Sequence, residues 1–227
     1  MSYLKSFQRP FQNIKKLLIG GILNGIPLLN IITSVIVTGY TVECARFTLA
    51  NKNVLPEWGN WWALFKRGLL IMILWAIYGI PLFIVLFTTF FNNLPSIASL
   101  NPVAFFHQAI QTHLVTIIFI ILLFVLTWYV ALAGVIQYIK NYSFKEAFRA
   151  SNISSIILTS RYLKAWLAGF AYTFLIGILL ESLIYALHSD STLVGIIYNL
   201  FSGCLTFATA VTTLTLVAEA SRGIKAR

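Results

Sequence analysis

The sequence predicts an all-α, polytopic membrane protein with four clear spans and a proline-broken hydrophobic segment in front of them. Of the 227 residues, 59% are hydrophobic and only 10% are charged, whereas soluble domains carry about 25% charged residues. The mean hydropathy is +0.86. Long apolar stretches recur along the chain, and about 20 apolar residues suffice to cross the hydrocarbon core. We therefore expect a single integral membrane domain over residues 1–227, with lipid as its solvent.

The chain opens with a basic segment that we expect to lie at the membrane interface. Residues 1–16 contain four cations, and Pro10 suits the first turn of a helix. Phe11, Ile14 and Leu18 would share one face of that helix. A short amphipathic helix of this kind buries its apolar face and leaves its cations among the lipid headgroups.

The hydrophobic segment at residues 17–40 is broken in its middle. Gly25 and Pro27 interrupt it, and proline disfavours a helix at its own position and at the preceding residue. Each remaining arm is shorter than the roughly 20 residues that a span needs. The segment is therefore either one kinked span or a re-entrant hairpin. A polar stripe on its second arm would suit a hairpin buried in protein. The stripe consists of Asn30, Ser34, Thr38 and Thr41.

The four clear spans are predicted at residues 68–91, 110–138, 165–187 and 193–217. The first contains Gly79 and Pro81, in the same Gly-Ile-Pro tripeptide that occurs at 25–27, so we take these positions as helix breaks too. The alternative is a proline kink in a continuous helix of a bundle. Between the second and third spans, Ser143 and Glu146 fit a capping box. We therefore expect a short interfacial helix over residues 143–164.

The basic residues predict the orientation in the membrane, because Lys and Arg in short loops stay on the cytoplasmic side. All 16 of them fall within residues 1–16, 46–67, 140–164 and 222–227. The loops at 92–109 and 188–192 hold none. We therefore expect a multi-pass protein of the cell (plasma) membrane with both termini and both basic loops in the cytoplasm. An even number of crossings must then precede residue 68, which favours the re-entrant alternative for the broken segment.

The net charge of +10 also bears on partners. The cations flank apolar segments, so we take them as a topology signal and expect no nucleic acid. Basic flanks attract anionic headgroups by about 1 kcal/mol per residue. We therefore expect anionic lipid on the cytoplasmic side as one partner, together with a protein partner or a second copy of the chain.

The last predicted span carries a stripe of small and hydroxyl-bearing side chains on one face. Such stripes let helices approach closely in lipid and exchange hydrogen bonds. We favour this packing role over the alternative, a face that lines a substrate site. The stripe consists of Gly195, Asn199, Ser202, Thr206, Thr209 and Thr213.

Ionisable residues within the spans are scarce, and Glu181 stands out among them. His107, His113 and His188 fall at the outer ends of the spans or in the outer loops, so these four residues form a candidate polar or ion site. Their spacing matches no ligand signature, and scattered loop histidines are the alternative interpretation. Because no motif for catalysis or metal binding is present, we predict no catalytic residue, no metal site and no cofactor.

Several short motifs resemble those of the domain of unknown function 4013 family. They are Gly39-Tyr40, Glu43, Arg46, Leu55-Pro56-Glu57-Trp58, Leu64-Phe65, Arg67-Gly68, Ile77-Tyr78, Ile80-Pro81, Ala147-Phe148-Arg149 and Tyr162-Leu163-Lys164-Ala165-Trp166. The likeness covers most of the chain. That family comprises archaeal and bacterial integral membrane proteins without an assigned activity. The resemblance therefore implies a helical fold and a membrane location, and it supplies no catalytic residue.

Three functions fit these patterns. The first is a non-enzymatic subunit, scaffold or accessory factor of a membrane complex, because motifs are lacking and the basic loops offer docking surface. The alternative is a small permease or transporter component with a site at the broken helices, because such breaks often mark binding sites. An intramembrane enzyme rests only on Glu181 and the histidines and is the least favoured.

Overall fold

The computed structural model describes residues 3–26, 30–97, 102–187 and 192–224, and every regular element within them is a helix. The α-helices are α1 (Tyr3–Gln8), α2 (Ile14–Gly25), α3 (Asn30–Leu49), α4 (Trp61–Ile97), α5 (Pro102–Asn141), α6 (Ala150–Ile157), α7 (Ser160–Leu187) and α8 (Thr192–Ala220). Two short 3-10 helices, Arg9–Gln12 and Glu146–Phe148, complete the order. The all-α class predicted from the sequence is confirmed.

Four helices in the described part of the chain are long and apolar enough to cross a membrane. The stretches concerned are Trp61–Thr89, Leu114–Lys140, Ser160–Leu187 and Thr192–Ala220. They confirm the four predicted spans, although α7 begins at Ser160 rather than at 165. Within an 18-residue apolar stretch of each helix, 61% of the residues are buried in α8 and 6% of the residues are buried in α7. α8 is therefore a central helix, and its buried residues lie between Gly203 and Ala220.

The chain divides into two compact units. The first unit combines Met1–Ile73 with Leu132–Arg227, and the second unit is Leu74–Ala131. Most described side chains of the second unit are apolar, and about half of them are exposed, as Ile84 and Phe87 are. An apolar surface of this kind suits contact with lipid tails.

The core of the first unit is built around Tyr40, which is fully buried. Its ring stacks on the ring of Trp58 with centroids 3.8 Å apart, and it tilts against Phe207 of α8 at 5.7 Å. Its hydroxyl donates to the carbonyl oxygen of Pro56 at 2.8 Å, which satisfies the polar end of the side chain. The core therefore joins α3 to α8 and to the loop after α3.

The proline-broken segment is interrupted where the sequence predicts. α2 ends at Gly25, and Ile26 is extended, with φ −90° and ψ 106°, as expected for a residue before proline. Pro27 itself lies outside the described residues. α3 begins at Asn30 and continues to Leu49, beyond the predicted end at residue 40. The second arm is thus longer than predicted, because the charged side chains that suggested its end are paired with other helices.

α2 and α3 form a hairpin whose two ends lie on the same side. Near the tip, the Thr33 hydroxyl donates to the Leu23 carbonyl oxygen at 2.5 Å. At the open end, the Lys16 ammonium donates to the Leu55 carbonyl oxygen at 3.0 Å, and the Trp58 indole donates to the Lys16 carbonyl oxygen at 3.2 Å. The chain therefore leaves the hairpin at the end where it entered, which is the geometry of the re-entrant alternative.

The four basic segments of the sequence meet at this same end of the first unit, which we call the basic end. Three hydrogen bonds connect them: Arg9 to the Val54 carbonyl at 3.2 Å, Arg222 to the Asn51 side chain at 2.5 Å, and Lys140 to the Ile224 carbonyl at 3.2 Å. These bonds bring the four segments to one end of the first unit, and the side of the membrane on which that end lies stays a prediction.

α3 and α4 cross where a glycine of each helix meets the backbone of the other. A Cβ added at Gly39 would lie 2.6 Å from the Leu64 carbonyl carbon, and one added at Gly68 would lie 2.8 Å from the Val35 carbonyl carbon. Non-bonded carbon atoms prefer about 3.5–4.0 Å. Only glycine at these two positions allows the helices to come this close.

The predicted helix break at Gly79 and Pro81 is wrong. α4 continues without interruption from Trp61 to Ile97. Proline removes only one backbone hydrogen bond of a helix. A helix surrounded by lipid has strong reason to keep the remaining bonds, because no water is present to replace them.

The predicted interfacial helix over residues 143–164 is replaced by shorter pieces. The 3-10 helix Glu146–Phe148 comes first, α6 follows from Ala150, and residues 160–164 already belong to α7. The predicted capping box does not form, because the helix begins at Glu146 and its N-cap residue is Lys145, which makes no side-chain cap. The Glu146 carboxylate instead accepts a hydrogen bond from the side chain of Asn152.

Candidate functional site

A polar cleft lies between α2, α3 and α8 within the first unit and has a volume of about 520 Å³. Its lining residues are Asn24 and Gly25 from α2, Asn30, Ser34, Val37, Thr38 and Thr41 from α3, and Asn199, Ser202, Gly203, Thr206 and Ala210 from α8. The polar stripe predicted on the second arm thus faces part of the stripe predicted on the last span. Sequence reasoning found both stripes but did not bring them together.

Glycines allow α2 and α8 to approach closely and so form one side of the cleft. A Cβ at Gly25 would lie 2.6 Å from the Asn199 carbonyl oxygen, and one at Gly203 would lie 2.8 Å from the Gly25 nitrogen. A Cβ at Gly21 would lie 2.9 Å from the Cα of Cys204. Glycines four residues apart, as at 21 and 25, are a known signal for close helix packing in membranes. This signal was present in the sequence and would have predicted that α2 packs against another helix.

Several hydroxyl groups of the cleft donate hydrogen bonds within their own helices. Thr38 donates to the Ser34 carbonyl oxygen at 2.8 Å, Thr41 donates to the Thr38 carbonyl oxygen at 2.8 Å, and Ser202 donates to the Asn199 carbonyl oxygen at 3.1 Å. Their oxygen lone pairs therefore remain as acceptors, and the asparagine amides of the lining add donors. None of the residues that line the cleft is ionisable, so the cleft is polar without carrying charge.

The cleft lies at mid-height on α8. Thr206 is the central residue of this 29-residue helix, Thr192–Ala220, and lies about 21 Å from either end at 1.5 Å per residue. A helix of this length that crosses a bilayer places its central residues near the midplane. Polar groups at that depth are costly unless other polar groups surround them, and the cleft provides such surroundings.

The stripe on α8 serves two roles along its length. Asn199, Ser202 and Thr206 line the cleft. Thr213 is buried instead, with its hydroxyl oxygen 3.4 Å from that of Thr173 on α7. Thr209 is buried as well. Gly195 has no atom within 4 Å of an added Cβ. The stripe is therefore buried in the half nearer the basic end, and it lines the cleft in its middle.

A second charged feature, the Glu43 cluster, lies at the basic end. The Glu43 carboxylate accepts hydrogen bonds from Arg67 and from the Tyr142 hydroxyl, the latter at 2.8 Å, and it lies 3.8 Å from Arg46. Both guanidinium groups sit over the Tyr142 ring, 4.9 and 5.0 Å from its centroid. Burial and the hydrogen bond to Glu43 raise the pKa of Tyr142 to about 12. The cluster joins the ends of α3, α4 and α5, and we assign it a structural role.

The candidate ion site is not assembled by any contact of the described residues. Glu181 is exposed on α7. His188 lies outside the described residues, as do the side chains of His107 and His113. Among the side chains that the structure describes, no three His, Cys, Asp or Glu residues come close enough to hold a metal ion. This site stays a prediction from the sequence.

A comparison with protein families identifies the relationship of this chain. The model of a family described as "Protein of unknown function (DUF4013)" matches residues 19–186. The match runs from α2 into the last turn of α7, and it includes the motifs on which the resemblance was based. No curated protein and no solved structure matched the chain. The family match covers about three quarters of the 227 residues, and the chain therefore belongs to the DUF4013 family of proteins of unknown function.

Proposed function

We propose that this chain is a small membrane permease, or a component of a transporter, that takes a small uncharged polar solute in the polar cleft. One observation carries the proposal: two stripes of hydroxyl and amide side chains face each other across about 520 Å³ at mid-height on α8. Ligand sites in proteins typically have volumes of about 300–1,000 Å³. The cleft is thus large enough for a molecule of several heavy atoms.

The chemistry of the lining supports an uncharged solute. A charged ligand brought into a low-dielectric site needs a counter-charge, and no lining residue of the cleft supplies one. Hydroxyl oxygens and amide groups instead match the hydroxyl and amide groups of polyols and small amides. Asn24, Asn30 and Asn199 offer both donors and acceptors at the hairpin tip.

The hairpin supports a transport role as well. Interrupted helices at membrane depth need protein or a water-filled cavity around their free backbone groups, and transporters often place their binding sites there. Gly25 ends α2 directly at the cleft. The broken segment would then be the working part of the protein, with its basic end in the cytoplasm.

A second function, a non-enzymatic subunit or scaffold, is supported by the same surface. The hydroxyl protons of Thr38, Thr41 and Ser202 are already bonded within their own helices, so these three groups need no further acceptor. Stripes of this kind accept a neighbouring helix in lipid. A helix from a partner, or from a second copy of the chain, would then fill the cleft in place of a solute.

The two functions are separated by filling the cleft in protein reconstituted into liposomes. Ser202→Trp places a large ring in the cleft, and Leu200→Trp is the matched control because Leu200 is an exposed apolar residue of the same helix. The assay follows light scattering after osmotic shock with glycerol, erythritol or urea. The proposal expects flux through the native protein, a loss of at least about tenfold in Ser202→Trp, which corresponds to about 1.4 kcal/mol, and native flux in Leu200→Trp.

The other outcomes are equally informative. A protein that carries no flux, but purifies in mild detergent as a dimer or with a stoichiometric partner that Ser202→Trp releases, supports the subunit function and contradicts transport. Equal flux through native protein, Ser202→Trp and protein-free liposomes, with no partner at the cleft, contradicts both functions.

A further inference from the structure

We infer that a separate pocket at the basic end, which we call the basic pocket, binds a phosphate group. It has a volume of about 450 Å³ and lies between the N-terminal helices, the end of α3 with its following loop, and the end of α8. It shares no lining residue with the polar cleft. Three cations line it, Lys5, Arg9 and Arg222, against a single carboxylate, that of Glu219. Positive charge is therefore in excess within the pocket.

Arg9 is the main reason to expect an anion. Its side chain is only 4% exposed, and it donates to the Thr48 hydroxyl and to the carbonyl oxygens of Lys52 and Val54. These acceptors are all neutral. Its Nε is buried without a hydrogen-bond partner. Burial lowers the pKa of Arg9, which reflects the cost of keeping this charge away from water.

None of the ion pairs formed among the described residues includes Arg9. The Glu219 carboxylate acts on Arg9 from a distance, but its ion pair is with Arg222, at 3.3 Å. A buried cation with only neutral partners is costly, and an anion close by would offset that cost. The basic pocket lies beside Arg9 and is large enough for such an anion. One carboxylate, Glu219, thus serves the three cations of the pocket, and the excess positive charge and the available space occur at the same place.

The other lining groups favour phosphate over a simple halide. Arg222 is held in place by the Asn51 side chain at 2.5 Å and by Glu219 at 3.3 Å. Gln8 and Gln12 add side-chain amide donors around the same space. A phosphate group has several acceptor oxygens and binds best where cations and neutral donors converge. The group could belong to an anionic lipid at headgroup depth or to a soluble phosphate.

The test uses the full chain in nanodiscs of phosphatidylcholine and measures the unfolding midpoint, because a ligand that binds the folded state raises it. In one arm, phosphatidic acid replaces a rising fraction of the lipid. In the other arm, inorganic phosphate is added at constant ionic strength. A rise in the first arm alone assigns a lipid headgroup, and a rise in the second arm alone assigns a soluble phosphate. A rise in both assigns the phosphate group itself, and no rise in either overturns the inference.

Variants show whether the basic pocket is responsible. Lys5→Gln and Arg222→Gln remove exposed cations of the pocket. Arg9 is avoided because its hydrogen bonds to Thr48, Lys52 and Val54 also connect the N-terminal segment to α3 and the following loop. Lys15→Gln is the matched control, since Lys15 is an exposed cation on α2 that does not line the pocket. We expect each pocket variant to raise the half-saturating amount of probe about tenfold, with the control unchanged. Equal effects in all three variants would mean general surface charge and would overturn the inference.

Discussion

Replacing Gly68 by alanine tests the close crossing of α3 and α4, and Gly79 in the same helix provides a matched control. At Gly68 the added methyl group would lie 2.8 Å from the Val35 carbonyl carbon and 3.0 Å from the Gly39 nitrogen. Atoms in contact need about 3.5 Å, and the Val35 carbonyl oxygen lies closer to the added methyl group than either of these two atoms, so the helices must separate by more than about 0.7 Å. All three neighbours are backbone atoms, which cannot rotate away. At Gly79 an added methyl group has no atom within 4 Å.

The expected energies follow from this geometry. Alanine is favoured over glycine inside a helix by about 1 kcal/mol, and this gain is common to both variants. Overpacking costs about 1–3 kcal/mol and applies only at Gly68. Gly68→Ala should therefore be less stable than Gly79→Ala by that amount, while Gly79→Ala equals or exceeds the native protein. The measurement is unfolding by a denaturing detergent, followed by tryptophan fluorescence. Equal midpoints for the two variants would refute the close crossing.

Three further predictions concern charge. Glu43→Gln should lower the free energy of unfolding by about 3 kcal/mol, which is the lower end of the range for a broken buried pair, because the paired Arg67 is partly exposed. Glu57→Gln changes a carboxyl group that is 86% exposed, and it should cost less than about 1 kcal/mol in the same detergent titration. The pKa of Tyr142 is raised from 10.0 to about 12. The stability that Tyr142 adds relative to Tyr142→Phe should therefore be complete below pH 10.0 and disappear towards pH 12. A difference in unfolding midpoint between the native protein and Tyr142→Phe that stays constant over this range would contradict the environment described. Single cysteines at residues 5 and 100 should react with impermeant reagents from opposite sides of the membrane, and labelling of both from outside would contradict the arrangement of the basic segments.

The spans were predictable because their signal is local. A run of about 20 apolar residues in lipid has few alternatives to a helix, so residues 110–138 were found to within a few positions of Leu114–Lys140. The hairpin was predictable from Pro27 together with the sorting of the cations. The length of α3 was not, because Glu43 looks like the end of an apolar segment until Arg67 is seen to pair with it. Pairing across the fold decides such boundaries, and local sequence carries no record of it.

The candidate site was predictable only in parts. The stripe on α3 and the stripe on α8 are each visible as a helical repeat. That Thr38 and Ser202 line one cleft depends on the packing of α2 against α8 through Gly25 and Gly203. These helices are far apart in the chain, and a sequence pattern does not say which apolar faces meet. The basic pocket was hidden for the same reason, because the sequence shows Arg9 only as one of several cations near the N-terminus.

The order of the helices along the chain affects how this protein is made. α8 packs against α2, α3 and α7, yet the ribosome produces it after all three. During synthesis, the glycine-containing face of α2 therefore lacks its main packing partner until α8 has entered the bilayer. Non-native contacts of the nascent hairpin can form during that interval. Any delay in the synthesis of α8 lengthens the interval, so the insertion machinery has to keep the hairpin from such contacts.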